Sequence, residues 1–122
     1  MTHPNFTILF VENAQKSTVF YQDLFGVAPV ESSETFALFI LKGGLKFGLW
    51  SRHTAQPAVT VTGGGTELVF QVDADSDVDK RHLEWKAKGL PILQEPTLMD
   101  FGYTFAAADP DGHRLRVYAF HG

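Results

Sequence analysis

The sequence predicts an α+β fold built from two copies of one module, each a strand, a helix and three further strands. Three observations carry that expectation. Period-2 alternation, helical spacing and period-2 alternation again follow one another in the same order in both halves of the chain. A glycine run, Gly63-Gly64-Gly65, falls between the halves. Near the C-terminus, Asp109-Pro110-Asp111-Gly112 separates two β-rich stretches with tight-turn chemistry. There the Asp side chain bonds nearby backbone, Pro presets φ and Gly closes the turn.

Taken in order, Phe6–Val11 alternates and is a strand. Asn13 is placed to cap a helix over Ala14–Phe25, with Phe20 and Leu24 one turn apart on a shared face and Gly26 as the stop. Short strands follow around Pro29–Ser33, Phe36–Lys42 and Lys46–Ser51, with Gly43-Gly44 as a hairpin turn. These make up the first module, residues 5–51. Residues 52–65 carry Pro57 and the glycine run and are expected to form a linker, mobile in part, with Ala58–Thr62 extended. The second module, residues 66–119, begins with a strand at Glu67–Val72. A helix over Ser76–Lys88 carries Val78, His82 and Trp85 along one side and stops at Gly89. Strands at Pro91–Gln94, Gly102–Ala108 and Arg114–Ala119 complete it. The 122 residues are expected to form one domain.

Composition narrows the function classes. Hydrophobic residues make up 44% and charged residues 20%, as in an ordinary globular protein. A formal charge of −4 argues against a nucleic-acid surface. The absence of cysteine removes disulfides, thiolate metal sites and cysteine nucleophiles together. The first ten residues do not read as a signal peptide, and no apolar stretch approaches the roughly 20 residues of a membrane span; a cytoplasmic location is the default expectation. Eleven Phe in so short a chain need a core, an interface or a ligand pocket to occupy.

Alternation sorts the strand residues into two faces. Thr7, Leu9 and Val11, Phe47 and Leu49, Leu68, Phe70 and Val72, and Leu115 and Val117 form a uniformly apolar set, suited to packing against helices. The opposite set mixes aromatics and charges: Phe6, Ile8 and Phe10; Lys46, Gly48 and Trp50; Glu67, Val69 and Gln71; Arg114, Arg116 and Tyr118. That mixture suits a ligand cavity.

The twofold module order, together with the DPDG turn and closing strand in FAAADPDGHRLRVY, resembles the vicinal oxygen chelate superfamily of glyoxalases, bleomycin resistance proteins and extradiol dioxygenases. The resemblance covers essentially the whole chain. It implies that the two sheets form a cup-shaped incomplete barrel with the helices outside. It also implies a metal site in the family's enzymes, made from one position on each of four strands, the last a Glu in a K-x-E-L closing strand. Here those positions are matched by Phe6, Gly48, Glu67 and Arg116, and a guanidinium cannot ligate a metal. One carboxylate does not make a divalent site, so no metal, cofactor or catalytic residue is expected. If the four positions converge, Arg116 should fork onto Glu67 and fill the vacated space.

Within the superfamily, Phe47–Ser51 (FGLWS) and Asp100–Val117 (DFGYTF…DPDGH…LRV) resemble the metal-free antibiotic-binding branch, nearest to phenazine-antibiotic resistance proteins. That resemblance implies stoichiometric sequestration of a planar aromatic molecule by a homodimer. The expected ligand contacts are Phe6, Trp50, Phe101, Tyr103 and Tyr118 as aromatic walls, Lys46, Arg114 and Arg116 for an acidic group, and Glu67 holding Arg116 or accepting a hydrogen bond. The rival expectation is a divergent metal-dependent glyoxalase- or dioxygenase-type enzyme.

Other motifs add no chemistry. The five histidines His3, His53, His82, His113 and His121 show neither i,i+4 pairing nor an HxH pattern, and His82 is expected in the core. Asp73, Asp75, Asp77 and Asp79 lack the Gly and closing Glu of an EF-hand and fit the acidic start of a helix. Neither a nucleophile elbow nor a phosphate-binding loop is present.

Overall fold

The computed structural model describes residues 2–122. Its elements are β1 (Phe6–Val11), α1 (Ala14–Phe25), β2 (Glu31–Ser32), β3 (Phe36–Ile40), β4 (Lys46–Ser51), β5 (Glu67–Val72), α2 (Asp75–Ala87), β6 (Ile92–Met99), β7 (Gly102–Ala108) and β8 (Arg114–Phe120). The βαβββ order occurs twice, as the sequence predicts. Hydrogen bonding gives two four-stranded sheets, β1-β4-β3-β2 and β5-β8-β7-β6. Two compact units divide between Thr62 and Gly63.

In the first unit β1 runs parallel to β4, and β3 pairs antiparallel with β4. A parallel neighbour requires a crossover, and α1 supplies part of it. Asn13 caps α1 through its side-chain oxygen, which accepts the Lys16 N–H at 3.0 Å. The buried stripe of α1 is Ala14, Ser17 and Tyr21. Phe20 and Leu24, expected on a shared face one turn apart, are both half-buried at the margin of that stripe. Tyr21 instead sits 4.9 Å from Phe47 and 5.3 Å from Phe25, ring centre to ring centre. Phe25 in turn meets Phe39 at 5.8 Å and Phe47 at 5.1 Å in edge-to-face geometry. Much of the Phe content is thereby absorbed as core, in the arrangement that ring quadrupoles favour.

The second unit repeats the plan. Strand β5 is parallel to β8, and β7 is antiparallel to both β8 and β6. Helix α2 packs on this sheet through Val78, His82 and Trp85, all buried. Trp85 lies 5.6 Å from Phe70 and 5.3 Å from Phe105. His82 meets the Phe105 ring, and its Nε2 comes within 2.8 Å of Glu95 Oε2 without hydrogen-bond alignment. Asp75 and Asp77 occupy the first turn of α2, and Asp77 Oδ2 accepts the Ala74 N–H at 3.0 Å.

Strand β6 runs to Met99, well past the expected end at Gln94. Pro96 lies inside it, which an edge strand tolerates because a missing N–H there breaks no interior ladder. Its pairing with β7 shifts register between Ile92 and Gln94 and again between Gln94 and Thr97.

The turn before β8 has the expected chemistry. Asp109 Oδ1 accepts the N–H groups of Asp111 and His113, each at 2.8 Å. The glycine run is not loose throughout, because Gly63 lies directly on this turn. A Cβ added at Gly63 would come within 2.3 Å of the Gly112 carbonyl carbon and 2.4 Å of the His113 nitrogen. Both are backbone atoms and cannot swing aside. Gly63→Ala should therefore lower unfolding stability in urea by about 1–3 kcal/mol through overpacking. Gly65→Ala, with nothing within 4 Å of its added Cβ, should change it by less than about 0.5 kcal/mol.

Candidate functional site

Each sheet has one face covered by its helix and one turned away from it, and the expected site residues fall largely on the helix-free faces. In the first unit this face is aromatic. Ile8 pairs in register with Gly48, and Phe36 with Trp50. A Cβ at Gly48 would lie 3.0 Å from Phe6, 3.2 Å from Phe36 and 3.3 Å from Ile8, so the glycine forms a floor on which these three side chains close. Trp50 is half-buried, with Phe10 at 6.0 Å and a tilt of 38°. The Lys46 ammonium stands 6.0 Å from the centre of the Phe6 ring, at the outer reach of a cation–π contact.

In the second unit the corresponding face is polar and charged. Glu67 and Arg116 pair, as their places on β5 and β8 predict. Arg116 Nε donates to Glu67 Oε1 at 2.9 Å and Nη2 donates to Oε2 at 3.0 Å. Two parallel charge-assisted bonds fix both the position and the plane of the carboxylate. Arg116 Nη1 donates to Gln94 Oε1 at 2.8 Å and to Thr104 Oγ1 at 3.2 Å. The Thr104 hydroxyl donates onward to the Val117 carbonyl at 2.8 Å. Arg114 Nη2 also meets Glu67 Oε2, at 2.7 Å. Farther along, Tyr118 donates its hydroxyl to Gln71 Oε1 at 3.2 Å, and its ring meets Phe101 edge-on at 5.8 Å.

Tyr103 is not on this face. It pairs with Ala119, whose neighbours in the alternation, Val117 and Leu115, are core residues. Its hydroxyl donates to Asp79 Oδ1 on α2 at 2.7 Å. The expectation that Tyr103 joins Phe101 as a wall is thus corrected: β7 begins at Gly102, and the alternation carries Tyr103 to the helix side with Phe105. The sequence reading also missed Gln94 and Thr104. Thr104 had a signal, as the one aliphatic hydroxyl in the strand stretch Gly102–Ala108. Gln94 had none, because the register shifts that aim it at Arg116 leave no period in the sequence.

Electrostatics follow from this geometry. The Arg116 hydrogen bonds hold the Glu67 carboxyl below its ordinary value near 4.5; partial burial opposes them, and the charges of Arg116 and then Arg114 assist. A metal does not fit the four matched positions. Phe6 and Gly48 offer no ligand atom, Arg116 is a fixed cation, and both Glu67 oxygens already accept from guanidinium groups. Among the described residues, no group of three or more His, Cys, Asp or Glu side chains is placed to hold a metal ion. Nor is any helix long and apolar enough to cross a membrane.

Known proteins share this architecture. The family model of the Glyoxalase/Bleomycin resistance protein/Dioxygenase superfamily matches residues 3–117. A phenazine antibiotic resistance protein of Enterobacter agglomerans is 32% identical over 117 residues, which span 93% of this chain and 89% of that one. A protein of Agrobacterium tumefaciens with a solution NMR structure is 62% identical, matching 100% of both chains with a TM-score of 0.93. A glyoxalase-related enzyme of Fulvimarina pelagi shares the fold at 24% identity, with a TM-score of 0.84 over 98% of this chain and 88% of that one.

The lowered pKa of Glu67 gives a signed prediction. The unfolded chain binds this proton more readily than the folded one, so the stabilisation is complete above the ordinary Glu range and is lost as pH falls through the lower folded value. Glu67→Gln should cost about 1–3 kcal/mol at pH 7, for the charged hydrogen bonds lost. In denaturant titrations across pH 7 to 3, that difference should shrink with acidification; a difference that stays constant would place the stabilisation elsewhere.

Proposed function

The chain belongs to the Glyoxalase/Bleomycin resistance protein/Dioxygenase superfamily, and from that premise we propose that it binds and sequesters a planar aromatic small molecule of the phenazine type without transforming it. The observation that carries the proposal is the Arg116–Glu67 fork. It stands at positions where the family resemblance implies metal ligands, and it commits the single carboxylate there to a guanidinium. The superfamily's own description spans enzymes and resistance proteins. The relative from Enterobacter agglomerans, described as a phenazine antibiotic resistance protein, supports the second kind.

The proposed contacts are Phe6 and Trp50 on the first sheet, which supply flat apolar surface for stacking. On the second sheet they are Phe101, Tyr118 and Arg114, with Glu67 and Arg116 behind them holding Arg114 in place. Lys46, Arg114 and Arg116 supply the positive charge that would attract a carboxylate or phenolate on the ring. Tyr103 is left out of the contact set and assigned to anchoring α2. The same proposal includes a cytoplasmic homodimer.

Tryptophan fluorescence tests it. Trp85 is 2% exposed and enclosed by Phe70 and Phe105, so Trp50 is the reporter. Phenazine at micromolar concentration should quench the wild-type emission, Trp50→Phe should remove most of that quenching, and Tyr103→Phe should leave affinity unchanged. Chromatography after incubation should return the ligand intact. A converted ligand, together with stoichiometric metal in the purified protein, would move the chain among the superfamily's enzymes.

A further inference from the structure

Two guanidinium groups on the helix-free face of the second sheet share one carboxylate, and they are not equivalent. Arg116 is committed. Its side chain is 13% exposed and makes four hydrogen bonds, two to Glu67 and one each to Gln94 and Thr104. To recognise a ligand it would have to abandon partners that are themselves partly buried. Arg114 is 41% exposed, and its Nη2 meets Glu67 Oε2. Its Nε is shut away from solvent and has no acceptor. A buried donor without a partner is costly, and any rearrangement that supplies an acceptor is favoured. The group charges agree: one carboxylate against two guanidinium groups leaves one positive charge on this face.

The backbone of Arg114 is meanwhile well held. It is the first residue of β8 and pairs in register with Glu67 on one side and Ala108 on the other. A long side chain with a half-satisfied fork thus springs from a fixed base. The lowered pKa of Glu67 fits this division, since Arg116 is its leading cause and Arg114 contributes less.

We propose that Arg114, and not Arg116, is the residue that recognises an acidic group on the ligand, making this face selective for planar aromatic carboxylates over neutral rings. The inference rests on the reading that this face meets a small molecule. Arg116 is a positioning residue: it sets the plane of Glu67, and Glu67 holds the Nη2 edge of Arg114. A ligand carboxylate would accept from the remaining Arg114 N–H groups, including Nε once the fork turns towards it. Bidentate geometry of this kind is what guanidinium recognises best.

The test uses the full chain and three probes: phenazine-1-carboxylate, uncharged phenazine and benzoate. The Nε–H signals of the arginines are followed by 15N NMR, and affinities by titration. Both carboxylates should shift the Arg114 Nε–H signal and leave that of Arg116 in place. Arg114→Gln should weaken phenazine-1-carboxylate binding by about tenfold or more while leaving phenazine unchanged, the scale of one charge-assisted contact. Movement of the Arg116 signal with Arg114 still, or an undiminished preference for the carboxylate in Arg114→Gln, would overturn the assignment. If neither phenazine binds but benzoate moves the Arg114 signal, the assignment stands and the phenazine reading falls.

Discussion

A two-point clasp between Arg116 and Glu67 organises the second sheet's free face. It joins neighbouring parallel strands through their side chains, and it reaches the edge strand through Gln94 and the β7 strand through Thr104. Four strands therefore depend on one guanidinium. Removing water from two opposite charges is expensive, and the cost is met only when most of their hydrogen-bonding capacity is used. Arg116 meets that condition nearly in full. The same clasp ties up the oxygens that a cation would need, so the local chemistry and the local architecture rest on a single interaction.

The two units solve one geometric problem with different chemistry. In each, the first residue of the closing strand stands beside the first residue of the opening strand: Lys46 beside Phe6, and Arg114 beside Glu67. In both cases a cation lies over the opening residue, in one against a ring and in the other against a carboxylate. Two residues on, the closing strand carries Gly48 in one unit and Arg116 in the other. Absence of a side chain lets aromatic groups close over the first sheet; a long planar one knits the second.

How far the sequence reached depended on period. Alternation along β1, β4, β5 and β8 assigned Phe6, Lys46, Trp50, Glu67, Arg114, Arg116 and Tyr118 to the faces on which the structure places them, because a half-buried strand constrains every second residue. Grouping Phe101 with Tyr103 as walls of one cavity passes over that rule. Phe101 lies in the turn, where alternation does not apply, and Tyr103 lies inside β7, where it does. In α1, Phe20 and Leu24 have the expected one-turn spacing, yet the buried stripe follows Ala14, Ser17 and Tyr21 at helical spacing. Gln94 was out of reach because irregular pairing, which no residue pattern announces, determines where it points.

The seat of Gly63 on the Asp109–His113 turn bears on how the chain could be divided. A run of three glycines invites a break or an insertion anywhere along it, as in a flexible tether. Here the first of the three belongs to the packing of the second unit, while the added Cβ at Gly65 would meet open space. Fragments meant to reassociate, or a permuted chain with new ends, should accordingly be cut ahead of Gly63, so that the C-terminal piece keeps the residue that rests against its own turn.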